Sequence, residues 1–252
     1  MKKIEVILSV FFLWMVLVPG NVFALNLTAL DAQLDLRTKD GATSVDVYDD
    51  MFSDLTDSYW NITASSASAA TIVFELAGYA ETNSFGIYDP YNKNTTLELF
   101  SGGDSNPGNP LDGAQITLHQ WGTSFYLDPS SSVAFSSGTF GYYLSVGATG
   151  KTYYSDTNLN ADGFDHMLAY QGTNTDLFNV WNSTKNEDYK LWTNNEYILA
   201  WEDLWNGGDQ NYTDLVVMVE SVNPVPEPAT MILLGFGLFG IAAVSRKKMI
   251  GK

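Results

Sequence analysis

Residues 197–220, YILAWEDLWNGGDQNYTDLVVMVE, decide the fold. Tyr197 to Glu202 and Asp214 to Glu220 are short apolar runs rich in aromatic and β-branched side chains. Between them lies a loop of Asp, Asn and paired glycines, Gly207-Gly208. Runs too short for a stable helix, bounded by such turn residues, read as two strands joined by an acidic loop.

The same pattern continues upstream. Ala70 to Ala77 is an apolar run, and Ser84 to Tyr88 is a second, ended by Asp89-Pro90. Thr96 to Phe100 alternates and stops at Gly102-Gly103. Ala114 to Gln120 and Thr123 to Leu127 flank a Trp121-Gly122 turn. Phe140 to Val146, His166 to Tyr170 and Asp176 to Trp181 complete the set. Roughly ten short strands at this spacing predict an all-β domain, an antiparallel β-sandwich or jelly roll. Residues 70–222 are assigned to it, and no internal repeat is evident. The Asp-rich stretch 25–69 reads as an edge hairpin or a partly mobile lead-in, with a small-residue loop from Ser65 to Ala70.

The two ends are different in kind. Lys2 and Lys3 precede an apolar run from Ile4 to Val18, a Pro19-Gly20 break and Val22-Phe23-Ala24. That is the layout of a secretory signal peptide spanning 1–24, cleaved after Ala24. At the other end, Val225-Pro226-Glu227-Pro228 closes a linker, 223–228. Residues 229–252 hold an apolar run and then the basic cluster Arg246-Lys247-Lys248. The run reads as a single, slightly short transmembrane helix with its basic end in the cytoplasm, which leaves the body outside. Gly235, Gly237 and Gly240 lack the four-residue spacing of a helix-dimer face.

This tail resembles the PEP-CTERM sorting signal. The resemblance covers Val225 to Lys248 and rests on Val-Pro-Glu-Pro, one hydrophobic helix and a basic terminus, in that order. It implies recognition and removal of the tail by exosortase, a membrane protease-transpeptidase, in a Gram-negative bacterium that makes extracellular polysaccharide. The simpler alternative is a plain C-terminal anchor.

Of 12 basic residues, Lys2, Lys3, Arg246, Lys247, Lys248 and Lys252 lie in the termini, whereas of 29 acidic residues only Glu5 and Glu227 do, so the body carries a formal charge of −21. Such a field repels nucleic acid and anionic lipid. There is no cysteine, hence no disulfide and no thiol chemistry. Neither a nucleophile elbow nor a His-Glu-x-x-His zinc motif occurs, and with only His119 and His166 the chain reads as non-enzymatic.

Two segments concentrate oxygen ligands. Asp156 to His166 contains Asn158-x-Asn160-x-Asp162-Gly163, alternate oxygens ending at a turn-forming glycine. Such spacing suits a calcium loop, although Ala169 stands where an EF-hand needs Glu. Trp201 to Leu215 supplies further carboxylates. We therefore expect calcium between the two segments, held by Asp162, Asp165, Glu202, Asp203, Asp209 and Asp214, with Asn160 adding a neutral oxygen. Asp54 reads as remote from this site. The alternative is a system of Asx turns without an ion.

These segments resemble an acidic domain of unknown function that recurs in bacterial surface proteins and often precedes a PEP-CTERM tail. The resemblance rests on Ile198 to Trp201 running into Glu202-Asp203-Leu204, then Gly207-Gly208-Asp209, Tyr212 and Asp214 to Val217. Asp162, Gly163, Asp165 and His166 extend it, as does Ser84 to Asp89. It is strong from about Ala148 to Val222 and looser back to Phe74. The family usually has Asp or Asn where Gln210 stands, so Gln210 is a poor ligand. The implied role is a surface or matrix protein with a calcium-stabilised β-domain, associated with extracellular polysaccharide and biofilm. The second reading is a carbohydrate-binding module using exposed Trp and Tyr.

Overall fold

The computed structural model describes residues 25–65, 67–74, 80–102, 114–128, 130–180 and 189–226. The expected signal peptide, most of the Pro-Glu-Pro motif (Glu227, Pro228), the apolar run and Arg246, Lys247 and Lys248 lie outside them.

Two helices open the described chain, α1 (Thr28–Arg37) and α2 (Asp54–Asp57). The strands are β1 (Tyr59–Ile62), β2 (Ala67–Phe74), β3 (Asn83–Asp89), β4 (Asn92–Ser101) and β5 (Gln115–Trp121). Then come β6 (Ser124–Tyr126), β7 (Val133–Ala134), β8 (Thr139–Val146), β9 (Lys151–Tyr154) and β10 (Met167–Gln171). Last are β11 (Leu177–Phe178), β12 (Lys190–Leu191), β13 (Glu196–Trp201), β14 (Leu215–Glu220) and β15 (Val222–Val225). The larger sheet runs β10-β13-β14-β2-β5-β6-β7, and the smaller runs β15-β1-β8-β3-β4 with β9 on β8. Every pairing in both sheets is antiparallel.

The continuity of the Tyr197–Trp201 run has a packing cause. Tyr197, Leu199 and Trp201 enter a core shared with Phe85, Tyr142 and Leu144 of the smaller sheet. Phe85 meets Trp201 edge-on at 6.0 Å, and Trp60 meets Tyr197 at 5.0 Å. Ile198 and Ala200 point the other way, into a second cluster with Leu30 and Leu34 of α1. Leu215, Val217 and Val219 likewise face the first core, and Val216 and Met218 the second. Strands covered on both faces lose the polar alternation.

Three expectations about the ends of the domain are corrected. The stretch 25–69 is neither an edge hairpin nor a loose lead-in: α1 lays Leu30 and Leu34 on the outer face of β10, β13 and β14. Burying that face is what stabilises a ten-residue helix too short to persist alone. The loop expected from Ser65 to Ala70 becomes strand, since β2 starts at Ala67, pairs with β14 and β5, and crosses the expected 69/70 boundary. The linker also begins as strand: β15 pairs with β1 from Val222 opposite Ile62 to Val225 opposite Tyr59.

Candidate functional site

Because Trp201 lies opposite Leu215 on neighbouring antiparallel strands, Glu202, Asp203 and Asp214 leave the same end of the sheet together. Their carboxylates each place an oxygen within 4.8 Å of the others. Glu202 and Asp203 are buried and Asp214 nearly so. The cluster receives few donors. Asp214 Oδ2 accepts the Asp203 N–H at 2.8 Å, Glu202 Oε1 accepts the Leu204 N–H at 3.2 Å, and Asp203 Oδ2 accepts from Asn83 Nδ2 at 3.2 Å. Glu202 Oε2 is buried and has no hydrogen-bond partner among the described residues.

Like charges at this spacing decide the electrostatics. Two full charges about 5 Å apart repel by about 3–4 kcal/mol at an effective dielectric of ~20. Three ionised carboxylates make three such pairs, a repulsion comparable to the whole stability of a domain, roughly 5–15 kcal/mol. Without a cation the cluster has to hold protons. Burial, then Asp214, pushes Glu202 up to about 9. Burial, then Asp214, pushes Asp203 up to about 6, and Asp214 itself is raised by burial. Asp209 is exposed and adds to the negative field on all three.

The loop that covers the cluster is locally strained. Asn206, Gly207, Gly208, Gln210 and Tyr212 all have φ between 43° and 74°. A Cβ on Gly208 would sit 2.6 Å from Glu202 Oε1, and one on Gly207 would enter the Phe164 ring at 2.0 Å. Glycine is therefore required here for close approach as well as for backbone angle. Gln210, at φ 56°, occupies a conformation in which Asn and Asp are the best tolerated non-glycine residues.

The structure separates the other expected ligands from this cluster. Asn160 Oδ1 accepts the Tyr154 N–H at 2.7 Å, and its Nδ2 donates to Tyr154 O and Phe164 O, so the side chain clamps its own loop to β9. Asp162 Oδ1 accepts from Phe164 N, while its Oδ2 accepts from Asn206 N at 2.9 Å and faces His166 Nε2 at 3.0 Å. Asp165 accepts the Met167 N–H and turns toward α2. Burial, then Asp54, raises it well above the usual carboxylate range, so Asp54 is not remote. Asp209 accepts from its neighbour Asn211.

The two acidic segments do meet, through the Asp162–Asn206 bond and also through His166, which no motif singled out as a working residue. Its Nδ1 donates to Glu202 O at 2.7 Å, and its ring stacks on Tyr153 at 3.6 Å. A carbonyl only accepts, so Nδ1 carries a hydrogen, and one further proton has to sit between Nε2 and Asp162. Burial lowers the His166 pKa against the opposing pull of Glu202 O and Asp162. The Tyr153 hydroxyl is buried without a partner among the described residues, its pKa raised by burial and then by Asp162, Asp203 and Glu202.

Residues 132–222 match the family model described as a domain of unknown function, DUF4114, and 224–247 match the PEP-CTERM protein-sorting motif. The chain carries both modules. The DUF4114 match begins at β7 and contains Glu202, Asp203 and Asp214, whereas Ser84 to Asp89 falls outside it. The PEP-CTERM match makes this an exported protein, sorted by the membrane protein exosortase to the cell envelope or surface of a Gram-negative bacterium. No curated protein and no solved structure is detectably similar to the chain. No helix among the described residues is long and apolar enough to cross a membrane, and the 229–252 span lies outside them.

Proposed function

We propose that the DUF4114 domain is a non-enzymatic surface or matrix module, a β-sandwich closed at one end by a calcium ion on Glu202, Asp203 and Asp214. The observation that carries this reading is a buried three-carboxylate cluster in which Glu202 Oε2 meets no donor among the described residues. Carboxylate oxygens suit a hard cation, and calcium accepts six to eight oxygens in flexible geometry. Water completes the shell, and Asp209 adds negative potential from the exposed rim. Millimolar affinity suffices outside the cell, where extracellular calcium modules work at about 10⁻⁴–10⁻³ M. The non-enzymatic reading is supported by His166, whose two ring nitrogens are both engaged, and by His119, stacked on Tyr126. A carbohydrate-binding role, the second reading, rests on a different face of the molecule.

Terbium is a luminescent stand-in for calcium, and Trp201 and Tyr153 lie beside the cluster as sensitisers. Titration should give saturable emission that calcium displaces, and Glu202→Gln combined with Asp214→Asn should abolish it. Emission that calcium cannot displace, or that survives in the double variant, contradicts the assignment.

A further inference from the structure

The outer face of the larger sheet is covered over half its width and open over the other half. On β10, β13 and β14 it lies under α1 and the chain that follows it. On β5 and β6 it carries a different set of side chains. His119 pairs with Tyr126 and Trp121 with Ser124, so these four share a face, while Leu118 and Phe125 point into the core. His119 and Tyr126 are stacked, with centroids 5.3 Å apart and planes 17° from parallel. Trp121 is 84% exposed, and its ring has no ring or cation partner among the described residues. Among the described residues the other exposed tryptophan, Trp205, has Lys151 Nζ 3.6 Å over its ring.

The cross-strand neighbours extend this face with Ala67, Thr117 and Ala134, so among the described residues of β5, β6 and β7 no carboxylate and no Lys or Arg stands on it, and Glu220 comes next only across β2, opposite Ala69. In a chain of formal charge −17, a strip without acidic residues is a local exception. Its chemistry selects the partner. The absence of Lys and Arg disfavours nucleic acid and anionic polymers, which the rest of the protein repels. Flat rings beside short hydroxyl groups fit the two surfaces of a sugar, an apolar C–H face and an equatorial rim of hydroxyls. Aromatic side chains combine such an apolar plane with a polar edge.

We propose that Trp121, with the stacked pair His119 and Tyr126, forms a binding platform for a neutral polysaccharide chain. This is independent of the cation cluster, which lies at the end of β13 and β14, and it lies outside the residues that match DUF4114.

The test is affinity electrophoresis of the exported protein in native gels containing hydroxyethyl cellulose, galactomannan or dextran, with alginate as the anionic arm. At least one neutral polymer should retard the protein. Trp121→Ala should weaken that retardation about tenfold, the loss of roughly 1.4 kcal/mol of contact. Tyr126→Ala should weaken it less, and Tyr91→Ala, 69% exposed in the β3–β4 turn of the other sheet, should leave it unchanged. Oxidation of Trp121 by N-bromosuccinimide should slow when the retarding polymer is present, a readout that needs no variant. Unchanged mobility in all three neutral polymers overturns the proposal, as does full retardation of Trp121→Ala or retardation by alginate alone.

Discussion

The loop from Asp156 to His166 and the strand ends from Glu202 to Asp214 are both runs of Asp and Asn between strands, yet their oxygens meet different partners. In the first, Asp156 accepts from Asn158 N, Asp162 from Phe164 N and Asn206 N, and Asp165 from Met167 N. Asn160 satisfies three backbone groups at once. In the second, three carboxylates converge in a buried space with one oxygen left without a donor. The first is a turn system that holds itself together; the second needs a proton or a cation. Acidic spacing alone does not distinguish them, because the difference lies in where backbone N–H groups point.

The largest expected effect that separates the two regions is in the self-satisfied loop. Asn160→Ala removes three hydrogen bonds from a buried position and should destabilise the domain by about 3 kcal/mol. The loss should be the same in calcium and in chelator, read from urea unfolding curves. A loss that appears only in calcium would make Asn160 a ligand after all and would merge the two regions.

The second effect belongs to the cluster. Asp214→Ala should abolish the calcium-dependent stabilisation, which for wild type at about a hundred times the dissociation constant is about 2.7 kcal/mol. Glu202→Gln should also reduce the calcium response, while raising the stability of the ion-free protein at neutral pH because Gln is neutral without having to take up a proton. Asp162→Asn should do neither. If Glu202→Gln destabilises the ion-free protein, the repulsion argument fails.

A third effect is in pH. Glu202 and Asp203 have folded-state values raised to about 9 and about 6. Between the unfolded values, near 4, and these folded values, the ion-free native state binds more protons than the unfolded chain, so its stability falls as pH rises through that window. On the proposed reading calcium replaces those protons. The calcium increment should therefore be larger at pH 8 than at pH 5, measured by thermal melts in both buffers, and an increment independent of pH would contradict the cluster's role.

Much of the fold was legible in the sequence because strand length and turn residues mark antiparallel sheets locally. The runs at Ser84–Tyr88, Phe140–Val146, Tyr197–Glu202 and Asp214–Glu220 fall on β3, β8, β13 and β14. Helix α1 was not legible, since its buried apolar positions reduce to Leu27, Leu30 and Leu34 while Leu36 is exposed, and the partner that makes them useful is more than a hundred residues away. Strand β15 was hidden by Pro224, which is tolerated because this is an edge strand. At the site, Glu202, Asp203 and Asp214 were legible because adjacent antiparallel strand ends bring them together. The departure of Asp165 toward Asp54 was not, because it depends on where α2 packs.

The smallest expected effect is in the strained loop. Gln210→Asn should stabilise the domain slightly, by about 0.5 kcal/mol, because Asn tolerates positive φ better than Gln. A loss of stability would mean that the Gln210 side chain has a role the backbone does not explain.

The most direct test of the central claim, that the buried cluster is completed by a cation, is the melting temperature of the exported protein in millimolar calcium and in excess chelator at pH 8. The account predicts a rise of several degrees in calcium that persists in Asp162→Asn and disappears in Asp214→Ala. An identical melt with and without calcium would contradict it, leaving Glu202, Asp203 and Asp214 as carboxyls that share protons.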